Sequence, residues 1–187
     1  MRSAVFLERD GILNLAPIND HHQSVPRALS DFQINRAAAA PLNLMREAGL
    51  MLIVVTNQPG VSRGYLNRRE VDLMHLQLMK QFKLDDLFMC THDEMDYCTC
   101  HKPAPGLFRE AAFKYNLDLD RCFVVSDKAS DAQAAQAIGC TSLLVESPLN
   151  GDGHHDCILP DLDAIAQRIV RIHAQAKAGF IRHAVAA

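Results

Sequence analysis

Two carboxylates two positions apart, Glu8 and Asp10, follow the apolar run Val5-Phe6-Leu7 and precede Gly11. One such carboxylate can attack an electrophilic centre while the other moves a proton, although a solvated Glu-Arg-Asp turn reads the same way on its own. A second apolar run leads into Thr56-Asn57-Gln58, a hydroxyl and two amides suited to phosphate oxygens. Lys102-Pro103 stands ahead of Pro105; a lysine there can hold a phosphate and offset a carboxylate's charge, yet a lone lysine is also ordinary surface. A third run, Val124-Val125-Ser126, leads into Asp127, with Asp131 four residues beyond. An acid at a strand tip suits Mg²⁺, which takes few protein carboxylates and keeps water and substrate phosphate. Asp131 also fits a helix-dipole role.

A further group is Cys90-Thr91-His92 followed by Cys98-Thr99-Cys100. Two close pairs joined by a short loop can present a tetrahedral Cys₃His set to a structural Zn²⁺. Buried free cysteines are the competing reading, and it suits Cys122 and Cys140 better than a loop carrying Asp93, Glu94 and Asp96.

Elements that could position these groups are legible in the patterning. Five near-continuous apolar runs, Ala4–Leu7, Met51–Val55, Asp86–Cys90, Cys122–Ser126 and Ser142–Val145, read as strands buried on both faces. Helical periodicity is expected over Ala37–Ala48, Arg68–Phe82, Gly106–Tyr115, Ala129–Ile138 and Asp161–Ala176. Asn67 caps the second of these, with Glu70 placed to complete a capping box. The alternation predicts an α/β domain, a Rossmann-like parallel sheet with helices on both faces. Ligands of such sheets sit beyond the strand C-termini, where the polar groups above fall. Residues 1–187 suit one domain. Two stretches, Ile12–Asp31 and Thr91–Pro103, read as irregular, and neither is long enough for a cap domain.

In sequence and in order, AVFLERDG, VVTNQPGVSRGY, CHKPAPG and VVSDKASD resemble the four motifs of haloacid dehalogenase-type phosphatases. The resemblance covers roughly residues 3–146 and is narrowest to the cap-less branch of heptose-bisphosphate phosphatases and histidinol-phosphatase domains, whose zinc loop the cysteine group also matches. It implies that Glu8 attacks phosphorus and Asp10 serves as acid and then base, while Thr56 and Lys102 position the phosphoryl group. Mg²⁺ would be held by Glu8, the Asp10 carbonyl and Asp127, with Asp131 in support. Asn57, Arg63 and His101 would contact substrate.

The chain departs from that pattern where the family nucleophile, aspartate, is Glu8, and where the usual Cys-Arg-Lys-Pro reads Cys100-His101-Lys102-Pro103. An extra methylene moves the attacking oxygen by on the order of 1 Å, enough to cost about 10²-fold in rate. His101 replaces a permanently charged bidentate fork. The expected function is therefore Mg²⁺-dependent hydrolysis of a small phosphorylated metabolite, a sugar phosphate such as heptose 1,7-bisphosphate. The alternative is an impaired protein that binds a phosphorylated ligand or partner through the same site. A net charge of −3 without a basic stripe argues against nucleic acid. The short apolar start, and the lack of a run near the roughly 20 residues that span a bilayer, argue against secretion and membranes and for the cytoplasm.

Overall fold

A computed structural model describes residues 1–19 and 22–179. Asp20 and His21 of the first irregular stretch, and residues 180–187 of the expected domain, lie outside the described residues. In chain order the elements are β1 (Ala4–Leu7), β2 (Ile18–Asn19), β3 (His22–Gln23), α1 (Ala39–Glu47), β4 (Met51–Asn57), α2 (Arg68–Phe82), β5 (Asp86–Cys90), α3 (Gly106–Tyr115), β6 (Phe123–Ser126), α4 (Ala129–Gln136), β7 (Thr141–Val145), β8 (Cys157–Leu159) and α5 (Leu162–Lys177).

Six strands form one parallel sheet in the order β5-β4-β1-β6-β7-β8. The order reverses at β1, so the chain winds to one side and then the other from the middle strand. Alternating residues of each strand feed opposite cores. Val5, Leu7, Leu52, Val54 and Phe123 pack with α1, α2 and α5, and Phe6, Ile53, Val55 and Val124 pack with α3 and α4. Phe6 meets Phe108 edge to face at 5.2 Å between ring centroids. No cap domain is inserted among the described residues, and no helix is long and apolar enough to cross a membrane.

Several sequence expectations need correction. A sixth strand, β8, is only three residues long and partly exposed at the sheet edge, too short to register as an apolar run. Ile12–Asp31 is not wholly irregular, because β2 and β3 pair as an antiparallel hairpin within it. The first turn of the helix expected over Ala37–Ala48 is a 3₁₀ turn at Arg36–Ala38, and α4 stops two residues early. Asn67 does cap α2, accepting from the Arg69 N–H, but Glu70 forms no capping box. Its carboxylate instead accepts the backbone N–H of Leu29 and ties the β1–α1 connection to α2.

Candidate active site

β1, β4 and β6 are neighbours in register, with Leu7 paired to both Val54 and Val125. The next residues therefore emerge together: Glu8 after β1, Thr56 and Asn57 at the end of β4, and Asp127 after β6. Lys102 reaches them from the segment before α3. All of Glu8, Arg9, Asp10, Thr56, Lys102, Asp127 and Asp131 are buried.

Glu8 is gripped on both oxygens. Oε1 accepts the Thr56 hydroxyl at 2.7 Å and the Arg9 backbone N–H at 2.7 Å. Oε2 accepts from Lys102 Nζ, which also donates to Asp131 Oδ1 at 2.6 Å and to the Val55 carbonyl at 2.9 Å. Burial pushes the Glu8 carboxyl upward, but Lys102 and Lys128, helped by hydrogen bonds from Lys102 and Thr56, outweigh it and hold the group down to about 2. Burial likewise disfavours the charged Lys102, and Asp131 and Glu8 more than compensate, so its ammonium is held above the ordinary range.

Asp10 is held on both oxygens by the guanidinium of Arg9, at 2.9 Å each from Nη2. Asn14 donates to Oδ1 at 3.0 Å and Gln58 to Oδ2 at 2.9 Å. Arg9 is fully buried, with Nη1 3.3 Å from His75 Nε2. Burial and the Arg9 charge lower His75 to about 3, so a neutral ring lone pair faces the guanidinium.

Three oxygens surround the Lys128 ammonium: the Asp10 carbonyl at 3.2 Å, Asp127 Oδ1 at 3.7 Å and Glu8 Oε2 at 4.0 Å. Asp127 Oδ2 accepts Gln23 Nε2 at 2.8 Å, while Oδ1 is buried without a hydrogen-bond partner among the described residues. Burial pushes Asp127 up; Lys128 opposes this, and the charges of Glu8 and Asp131 reinforce it, leaving the carboxyl at about 6. The chain passes so close here that a Cβ on Gly11 (φ +91°) would lie 2.3 Å from Asp127 Oδ2, so only glycine serves.

A cleft of about 560 Å³ opens above these groups. Asn57 borders it and also fixes Lys102, since its side-chain oxygen accepts the Lys102 N–H at 3.1 Å and its amide donates to the Lys102 carbonyl at 3.2 Å. His101 borders the cleft too, but Nδ1 lies 3.0 Å from the His92 carbonyl. Arg63 is not among the lining residues; it pairs with Asp93 of the cysteine loop, whose carboxylate holds the guanidinium above its usual range.

The cysteine loop closes one side. Ligand atoms of Cys90, His92, Cys98 and Cys100 lie within 4.8 Å of one another. The Cys100 sulfur is 3.3 Å from that of Cys90 and 3.4 Å from that of Cys98, and 3.2 Å from His92 Nδ1. The His101 N–H donates to Cys98 Sγ at 3.2 Å.

Reading from sequence missed Arg9, Asn14, Gln23, His75 and Lys128, and it gave the Gln58 amide to phosphate oxygens where the structure has it donate to Asp10 Oδ2 and the Thr56 hydroxyl. Arg9 and Lys128 sit inside the quoted motifs, but the contacts that fix them have no sequence signature. Gln23 and His75 arrive from distant elements and carried no signal.

Comparison with known proteins follows the same lines. A family model described as HAD-hydrolase-like matches residues 99–165. The chain is 32% identical to D-glycero-beta-D-manno-heptose-1,7-bisphosphate 7-phosphatase of Helicobacter pylori, over 78% of this chain and 85% of that one. It is 31% identical to the alpha-anomer enzyme of Photorhabdus laumondii, over 72% and 76%. The crystal structure of D,D-heptose 1,7-bisphosphate phosphatase from Bordetella bronchiseptica, complexed with magnesium and phosphate, superposes with a TM-score of 0.78 at 26% identity, covering 91% of this chain and 99% of that one.

Proposed function

This chain belongs to the haloacid dehalogenase-like phosphatases, the family of the D-glycero-D-manno-heptose-1,7-bisphosphate 7-phosphatases, and on that premise we propose that it is a Mg²⁺-dependent hydrolase of a sugar phosphate monoester. The observation that carries this is the charge of the cluster below the cleft. Glu8, Asp10, Asp127 and Asp131 oppose Arg9, Lys102 and Lys128, which leaves one net negative charge where a phosphate dianion must approach. One divalent cation reverses that sign.

The residues fit such an ion. Asp127 Oδ1 is a buried oxygen without a hydrogen bond among the described residues, and with Glu8 Oε2 and the Asp10 carbonyl it surrounds the Lys128 ammonium, whose place a bound ion would take. We assign these three groups to Mg²⁺, which when bound neutralises charge on the phosphoryl oxygens.

In this reading Glu8 attacks phosphorus, the bond from phosphorus to the sugar oxygen breaks, and the phosphoryl group rests on Glu8 as an acyl-phosphate. Asp10, a carboxylate in the resting site, first takes a proton from solvent and then gives it to the departing alcohol. It then takes one from the water that opens the acyl-phosphate, returning Glu8 and releasing inorganic phosphate. For either transfer Asp10 turns out of the Arg9 fork. Lys102 and Thr56 hold the transferring oxygens, Asn57 fixes Lys102, and Asp131 keeps the Lys102 ammonium charged.

The cysteine loop fits zinc. A tetrahedral ion with bonds near 2.3 Å separates its sulfurs by about 3.8 Å, close to the 3.3 to 3.7 Å found here. Bound zinc is structural, fastening the end of β5 to the loop that delivers Lys102.

One observation favours a second reading, an impaired protein that binds phosphorylated ligands. Glu8 Oε1 already accepts two donors and Oε2 one, so a single in-plane lone pair remains for both metal binding and attack. A screen of sugar phosphates for released phosphate, with Mg²⁺ and with chelator, tests the reaction. No release on any ester, with binding retained, overturns it in favour of the second reading.

A further inference from the structure

The cleft has a charged floor and a mouth of different chemistry. Both of its ammonium groups point down. Lys102 Nζ is consumed by Glu8, Asp131 and the Val55 carbonyl. Lys128 Nζ lies on the floor against the Asp10 carbonyl and the Asp127 and Glu8 carboxylates, the oxygens assigned above to Mg²⁺, so a bound ion leaves it beside the phosphoryl group and below the mouth. Around the mouth stand Val25, Pro59 and Pro103 with Tyr97 and His101, and Glu94 is the one carboxylate of that rim among the described residues.

The rim is built rather than incidental. Glu94 and Tyr97 belong to a 3₁₀ turn fixed by a capping box between Asp93 and Asp96. Tyr97 is held at φ +47°, which non-glycine residues seldom adopt, and its side chain stays 83% exposed beside the cleft. Arg63, whose guanidinium could have served an outer anion, is turned onto Asp93 instead.

Resting on the phosphatase reading above, we propose that the substrate is a monophosphate whose alcohol portion is neutral or cationic and bears no second phosphate, with Glu94 and Tyr97 as the selecting residues. An outer phosphate meets a carboxylate and, among the described residues, no Lys or Arg on the rim, the arrangement by which sites reject a charged competitor. A neutral ring or an amine meets an aromatic face and a carboxylate that both accept it.

Matched hexose esters test this: the 6-phosphates and 1,6-bisphosphates of fructose, glucose and mannose, assayed with excess Mg²⁺. The expected kcat/KM for a monophosphate exceeds that for its bisphosphate by roughly tenfold or more. Glu94→Lys should bring the ratio towards unity by lowering KM for the bisphosphate, and Glu94→Gln should move it part of the way, each with an unchanged melting temperature because the position is exposed. A wild-type preference for the bisphosphate, or a ratio indifferent to both variants, overturns the proposal. If no ester is hydrolysed, the phosphatase reading fails by itself. The same ratio is then read from Kd by calorimetry with the same pairs, where tighter binding of the bisphosphate overturns the selectivity independently.

Discussion

Thr56 donates its hydroxyl to Glu8 Oε1 at 2.7 Å, so two residues that the site would direct at a phosphoryl group are spent on each other. The longer glutamate arm makes this contact by curling back onto the Arg9 N–H as well. Glu8→Asp shortens the arm and frees both donors. We expect kcat on a sugar phosphate to rise, by as much as about 10²-fold, with KM little changed. Steady-state kinetics decide it, and a fall in kcat would mark glutamate as the adapted nucleophile.

Asp127 gives a prediction with two opposite signs. Its folded pKa of about 6 lies above the ordinary 3.8, so the folded state binds more protons between those values, and the stability this group contributes is lost as pH rises through 6. At pH 7.5 without metal, Asp127→Asn should therefore raise the melting temperature, by removing a buried charge that costs on the order of 2–3 kcal/mol. The same variant should abolish both turnover and the Mg²⁺-dependent thermal shift. A shift that survives intact would locate the ion elsewhere.

His75 should make the protein acid-sensitive. Its pKa is lowered from 6.5 to about 3, so the unfolded chain binds the extra proton and stability falls as pH drops from 6.5 towards 3, by up to about 1.4 kcal/mol per pH unit. His75→Gln keeps an acceptor for Arg9 but does not titrate. Urea unfolding at pH 7.5, 6 and 5 should show a shallower loss in the variant, and equal slopes would exclude His75 as the cause.

Zinc should be felt at Lys102. Purified without added metal, the protein should carry about one zinc per chain by elemental analysis, and Cys98→Ser should lose it. Cys100 lies two residues before Lys102, so the variant should also lose phosphatase activity while Mg²⁺ binding at Asp127 persists. A Cys98→Ser protein with full zinc would rule out the four-ligand set.

What could be read in advance divides along a physical line. Continuous apolar runs such as Val5-Phe6-Leu7, with Glu8 and Asp10 just after it, announce a strand and the polar cluster at its end, because both are local in sequence. β8 was invisible because three edge residues make no pattern. In sequence Arg9 fits a solvated turn as readily as a site, yet it is fully buried; its partner His75 comes from α2, 66 positions away, a distance over which a single sequence gives no signal. Glu70 met the local rule for a capping box, and Leu29 took its carboxylate instead.

The central place of β1 also sets when the site comes into being. Ala4 reaches across to Cys122, 118 positions along the chain, through an N–H to sulfur contact, and the β1–β6 pairing closes a loop of that same span. Such distant pairings are entropically costly to close and come slowly in folding. Glu8 and Thr56 can meet once the first half of the sheet forms, but Asp127 joins them only with β6. A chain still emerging from the ribosome, or one cut before residue 127, has Glu8, the proposed attacking acid, without Asp127, its proposed partner at the metal. During refolding, hydrolytic activity should accordingly lag behind the recovery of helical signal.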